Sequence, residues 1–79
     1  RCGEIALKSC ASYRRRKKNY RYVIGYYRGK RHDWCEYQDK GIWYVDDPVQ
    51  NIRGWTRAEC KDYKGITETD PFNEVGGVA

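Results

Sequence analysis

Asn19-Tyr-Arg-Tyr-Val-Ile-Gly-Tyr-Tyr-Arg28 is the stretch on which the fold turns. Tyr20, Tyr22, Ile24 and Tyr26 fall on one side of a two-residue period, and Arg21, Val23, Gly25 and Tyr27 on the other. A strand with rings on both faces is expected, placed centrally in a sheet. Toward the C-terminus, Gly29-Lys30 reads as a turn and Asp33–Gln38 as the next strand, with Trp34, Glu36 and Gln38 opposing Asp33, Cys35 and Tyr37. Asp39-Lys40-Gly41 is a three-residue hairpin signal in which glycine supplies a positive φ. Ile42–Val45 follows as a strand, stopped by Asp46-Asp47-Pro48 because proline cannot donate to a ladder. Ile52–Arg57, with Gly54 as a bulge, and Lys61–Thr67 complete the strand pattern. Thr56-Arg57-Ala58-Glu59-Cys60 competes for one helical turn, since Thr56 and Glu59 have the spacing of a capping box. Toward the N-terminus, Glu4–Tyr13 begins by alternating, Ile5 and Leu7 against Glu4, Ala6 and Lys8, and is expected as the first strand.

Eight Tyr and three Trp favour pleated, half-buried surfaces, and no stretch sustains a 3.6-residue apolar period. The expected fold is all-β, a small disulfide-stapled sandwich of about six short antiparallel strands. It occupies residues 1–68 as one domain, followed by a flexible acidic tail over 69–79 that contains Pro71, Gly76 and Gly77. No internal repeat and no second domain are evident. Core places are expected for Trp43 and Trp55, and an exposed, binding position for Trp34.

A chain of 79 residues buries only about 60% of its unfolded surface, so it needs staples. Cys2, Cys10, Cys35 and Cys60 lie 8, 25 and 25 residues apart, unlike the close pairs of a structural zinc site, and are read as two disulfides. Among three connectivities, Cys2 with Cys35 and Cys10 with Cys60 is favoured because it crosslinks distant strands. An even cysteine count points to an oxidising compartment, and a chain without Met beginning at Arg1 reads as one that has lost an initiator and a signal peptide. Secretion is expected, with translocation into host cells as an extension of it. No Asn-x-Ser/Thr sequon is present, and no cofactor or metal is expected.

Charge is unevenly distributed. Cys10–His32 holds nine Lys or Arg and no Asp or Glu, whereas Asp33–Ala79 holds five basic and ten acidic residues. The net charge of +5 therefore conceals a strongly basic segment. Such a field attracts polyanions and steers association over roughly 10 Å. Arg14, Arg15, Arg16, Lys17 and Lys18 are consecutive, and Arg21, Arg28, Lys30 and Arg31 follow, interleaved with Tyr27 and other aromatics. Guanidinium groups neutralise phosphates while rings stack on bases, so these residues and Trp34 form the candidate binding set. If the strand is extended, the clusters before and after it lie about 30 Å apart, a stripe for a rod-like partner.

Catalysis finds little support. His32 is the one histidine of the chain, the residue type most used for general acid–base work, and Glu36, on the same strand face, would sit ~13 Å from it. It is read as a surface histidine beside a turn. Ser9 and Ser12 lack any nucleophile elbow.

A chain of this length with one or two disulfides, about six short strands and a basic, aromatic surface resembles the MAX-type fungal effectors, the group that includes rice-blast avirulence proteins. The resemblance covers about Cys2–Thr67 and rests on a cysteine in the first strand, Cys10 or Cys2, meeting one far down the chain, Cys60. It implies two three-stranded sheets packed as a sandwich, no catalytic activity, and action on host proteins through a sheet edge or surface. The run 14–18 departs from the family's pattern. The expectation is a secreted, non-catalytic, monomeric binding protein. Its partner is a host protein, or a nucleic acid or other anionic surface. Rivals are a cationic antimicrobial protein acting on membranes and a ribonuclease-like toxin using His32.

Overall fold

The computed structural model describes residues 1–72; the remainder of the expected tail, 73–79, lies outside the described residues. The main correction falls at the start of the chain, where the expected first strand is a helix, α1, over Cys2–Arg15. Its buried residues are Ala6, Cys10 and Tyr13, spaced by four and three, which is one face of a helix. The Ile5–Leu7 alternation spans two positions only, and Leu7 is exposed. Ala, Leu, Lys, Arg and Glu, all strong helix formers, occupy much of the segment, Glu4 sits in the first turn, and Arg14 and Arg15 sit in the last, each sign where the helix dipole favours it.

Five strands follow: β1 (Asn19–Tyr27), β2 (Lys30–Asp39), β3 (Ile42–Asp47), β4 (Ile52–Thr56) and β5 (Tyr63–Thr69). They form one sheet in the order β4-β3-β2-β1-β5, and every described pairing is antiparallel. The fold is mainly β, but as a single five-stranded sheet with one helix rather than a six-stranded sandwich. β1 lies between β2 and β5, the internal position its two ringed faces require. The first hairpin turns at Arg28-Gly29, one residue before the expected Gly29-Lys30, and the second at Lys40-Gly41, one residue shorter than expected; all four φ angles are positive, the geometry that matches strand twist. At Gly54, φ is +82°, and the β3–β4 register slips between Val45 and Asp46, so the expected bulge is present. The capping box also forms. Thr56 Oγ1 accepts from the Glu59 N–H at 3.2 Å, and a Glu59 carboxylate oxygen accepts from the Thr56 N–H at 3.0 Å, opening a 3₁₀ turn over Arg57–Glu59.

The sheet has a packed cluster on each side. Cys10, Tyr13 and Cys35 pack beneath α1 with Tyr20, Tyr22, Tyr37 and Phe72 around them. Val23, Trp34, Val45, Cys60 and Tyr63 form the opposite cluster, flanked by Tyr27 and Ile52. Phe72, expected in the mobile tail, lies edge-on to the Tyr20 ring at 6.2 Å, and Asp70 accepts the Tyr20 hydroxyl at 2.7 Å. The segment after β5 is thus tied to the first strand.

No disulfide is formed; all four cysteines are free. The sheet explains why the favoured pairing fails, because Cys10 packs on one side of it and Cys60 on the other. Cys35 faces Cys10 instead of Cys2, with the two sulfurs 2.9 Å apart.

Gly25 marks the tightest backbone approach, since a β-carbon there would stand 2.1 Å from the Lys64 carbonyl oxygen and 2.9 Å from the Gly65 Cα. Backbone atoms in a paired strand cannot yield as a flexible side chain does. Gly25→Ala is expected to destabilise the fold by about 1–3 kcal/mol through this overlap. Urea unfolding checks it, and an unchanged midpoint would show that β1 and β5 separate easily.

Candidate anion-binding face and the buried carboxylates

Three acidic residues of the strands, Glu36, Asp46 and Asp47, are buried and Asp33 is half-buried, while Asp39 and Glu68 stay exposed. Glu36 is fully buried and accepts hydrogen bonds from Trp34 Nε1 at 2.7 Å and from Arg21 Nε at 2.7 Å, with Arg57 Nε 3.1 Å away. Asp47 accepts the Tyr63 hydroxyl at 2.7 Å and stands 2.7 Å from His32 Nε2. Asp46 accepts the hydroxyl of Tyr13; its other oxygen has no hydrogen-bond partner among the described residues and faces Arg53 Nε at 3.3 Å. Asp33 takes the Tyr22 hydroxyl at 2.5 Å. Buried polar groups are tolerable when paired in this way. Burial first, then the bond to a carboxylate, holds each phenol protonated. Tyr20 is pushed up to about 12, and Tyr13, Tyr22 and Tyr63 are raised further.

This arrangement redistributes the expected binding set. Trp34 is fully buried, stacked on His32 and edge-on to Tyr63, so it belongs to the core and not to a contact surface. Tyr27 is half-buried against Tyr63. Arg21 is committed to Glu36 and to Glu68, its guanidinium lying 4.0 Å over the Trp43 ring. His32 is buried rather than on the surface. Of the two tryptophans expected in the core, Trp55 is 56% exposed and Trp43 is half-buried beneath Arg21. An edge strand carrying a bulge gives Trp55 a solvent-facing place that alternation alone does not distinguish from a core one.

The rest of the set remains outside. Arg14, Arg15, Arg16 and Lys17 are exposed where α1 ends and the chain turns into β1. Arg14 lies 5.6 Å from the Phe72 ring centre, Arg16 lies 4.5 Å from that of Tyr13 and donates to the Ser12 hydroxyl at 3.0 Å, and Lys18 stands 3.7 Å from Asp39. The helix closes with the Lys18 N–H on the Tyr13 carbonyl at 3.0 Å and the Lys17 N–H on that of Arg14 at 3.1 Å, with Lys17 left-handed at φ 59°. This paired closure is a Schellman motif with lysine in the position glycine usually fills. Arg28, Lys30 and Arg31 are exposed at the opposite end of β1, where Arg28 meets Asp62 at 3.1 Å. Nine residues of β1 hold the two clusters about 30 Å apart. Lys8, exposed on α1, lies between the ends of that helix.

The buried carboxylates escaped sequence reading, although a signal existed. Asp and Glu are depleted in strands, so Trp34-x-Glu36 and Asp46-Asp47 within aromatic strands imply internal donors.

Comparison with family models, curated proteins and solved structures finds no match to this chain.

The raised tyrosines fix the sign of an alkaline effect. Each binds its proton more tightly in the folded state, so its stabilisation is complete below the unfolded value near 10 and is lost as the pH rises above it. Stability is therefore expected to fall steeply above about pH 10, and Tyr63→Phe to make the fall shallower. Denaturant midpoints measured from pH 8 to 11.5 check this; equal slopes for both proteins would refute it.

Proposed function

We propose that the chain is a non-catalytic binding module whose outward basic face, led by Arg14–Lys18, holds an anionic partner. One observation carries the reading. Glu36, Asp46 and Asp47 are held as buried acceptors and Asp33 and Asp70 as half-buried ones, while most Lys and Arg side chains stay in solvent. The exterior is consequently more positive than the net charge of +5. Phosphates or similar groups meeting this face release counterions, and the field speeds encounter.

His32 supports no acid–base role in this reading, because it is buried against Asp47, Trp34 and Tyr63. Nor does α1 suit a bilayer: its buried residues face the sheet, and no described helix is long and apolar enough to cross a membrane. A protein partner is the second reading, favoured by Trp55 on β4, an edge strand of the sheet. Export and action on a host target belong to the same proposal, supported by the even cysteine count.

The test is anisotropy of a labelled single-stranded oligonucleotide at graded salt. Native binding is expected to weaken with a log-log slope of roughly −0.7 per phosphate engaged, and replacing residues 14–18 by Ser or Gln to remove about three units of that slope. Surface changes of this kind cost little stability, so the variant reports binding rather than folding. No native binding at ~50 mM salt would sink the polyanion reading and leave the edge-strand one, in which the same substitution mainly slows association.

A further inference from the structure

Two of the cysteines are placed for chemistry. Cys10 projects from α1 and Cys35 from β2, both are fully buried, and their sulfurs lie 2.9 Å apart. Each sulfur also points at a main-chain carbonyl, Cys10 at that of Arg21 and Cys35 at that of Glu36, each 3.7 Å away. Tyr13, Tyr20, Tyr22, Tyr37 and Phe72 enclose the pair. The other cysteines are excluded by position. Cys60 belongs to the cluster across the sheet, and Cys2 begins the helix, about 12 Å along its axis from Cys10.

We propose that Cys10 and Cys35 are an oxidation site, joined by a disulfide that fastens α1 to β2. With glutathione disulfide as oxidant, one cysteine thiolate attacks a sulfur of the reagent, breaking its S–S bond and expelling a glutathione thiolate. The second cysteine gives up its proton and attacks the mixed disulfide, forming the protein S–S bond and expelling the second glutathione. The two protons from the cysteines end on the two glutathione thiols, and two electrons pass from protein to reagent.

The enclosure sets the timing. Its hydrogen-bonded partner and burial raise the Cys35 thiol, so little thiolate exists once the core has closed, and the bond forms while the chain folds. Afterwards the same burial keeps reductants out. The crosslink spans 25 residues and ties the helix that carries Arg14 and Arg15 to the strand that carries Trp34 and Glu36. It is independent of the proposed binding function.

Refolding the full chain with glutathione disulfide, alkylating under denaturing conditions and mapping peptides by mass tests the pairing. The expected result is one crosslinked peptide pair containing Cys10 and Cys35, lighter by two hydrogens, with Cys60 alkylated. Recovery of both residues as alkylated thiols, or linkage of either to Cys2 or Cys60, would overturn the assignment. A thermal measurement tests the fastening role without relying on a variant. Reducing the refolded chain in denaturant and refolding it again without oxidant is expected to lower Tm by on the order of 10–20 °C, from the entropy of the closed loop. A crosslinked chain whose Tm does not respond would overturn that role. The double variant C10A/C35A, if it folds, is expected to show no reductant dependence; a shift as large as that of the native chain would assign the effect to another pair.

Discussion

Glu36 is the group on which the rest of the sheet depends. An isolated carboxylate at zero exposure would be untenable, and its tolerance rests on donors from three parts of the chain. Arg21 reaches it from β1, Trp34 from its own strand, and Arg57 from the turn after β4. Arg57 then donates to the carbonyls of Cys60 and Tyr63 at 3.3 and 3.1 Å, and Arg21 to Glu68 on β5 at 3.3 Å. One carboxylate thereby ties the centre of the sheet to the segment that closes back along β1. A hydrophobic residue could match its volume, but it could not specify where two arginines and an indole N–H must sit.

The same device recurs with tyrosine as the donor. Asp33, Asp46, Asp47 and Asp70 each hold a phenol, and the four phenols come from three elements: Tyr20 and Tyr22 from β1, Tyr13 from α1 and Tyr63 from β5. Tyrosine suits a small domain, because the ring supplies apolar area and the hydroxyl satisfies a carboxylate that would otherwise require a cation. The cations are left for the surface. Internal structure and outward charge are therefore linked: Glu36, Asp46 and Asp47 are used inside, while Arg14, Arg15, Arg16 and Lys17 stay exposed with no carboxylate in an ion pair with them among the described residues.

How far this could be read from the chain differs by element. β1 was legible because nine residues alternate without a break, and the Gly54 bulge and the Thr56–Glu59 box because backbone chemistry marks them locally. The helix was not, since two alternating positions at Ile5 and Leu7 resemble a strand and the true face, Ala6, Cys10 and Tyr13, includes one small residue, one thiol and one polar ring. Disulfide partners depend on which side of a sheet each thiol occupies, and sequence spacing carries no such information. The tryptophans failed for a related reason: Trp34 packs against Tyr63 on β5, a partner set by pairing between distant segments.

The basic run meets its own constraint at the end of α1. Five adjacent cations repel one another, which favours an open chain, yet here they terminate a regular helix. Three local effects oppose the repulsion: the negative end of the helix dipole beneath Arg14 and Arg15, the rings of Tyr13 and Phe72 beneath Arg16 and Arg14, and Asp39 beside Lys18. Lys17 benefits from none of these directly and occupies a left-handed conformation that glycine would adopt at lower cost, by roughly 1 kcal/mol. A chain optimised for stability alone would place glycine there, as it does at Gly29 and Gly41 in the two hairpins. The chain accepts the same cost at Arg28 and Lys40 in those hairpins, so at three turns a long cationic side chain stands in solvent where glycine would be less strained.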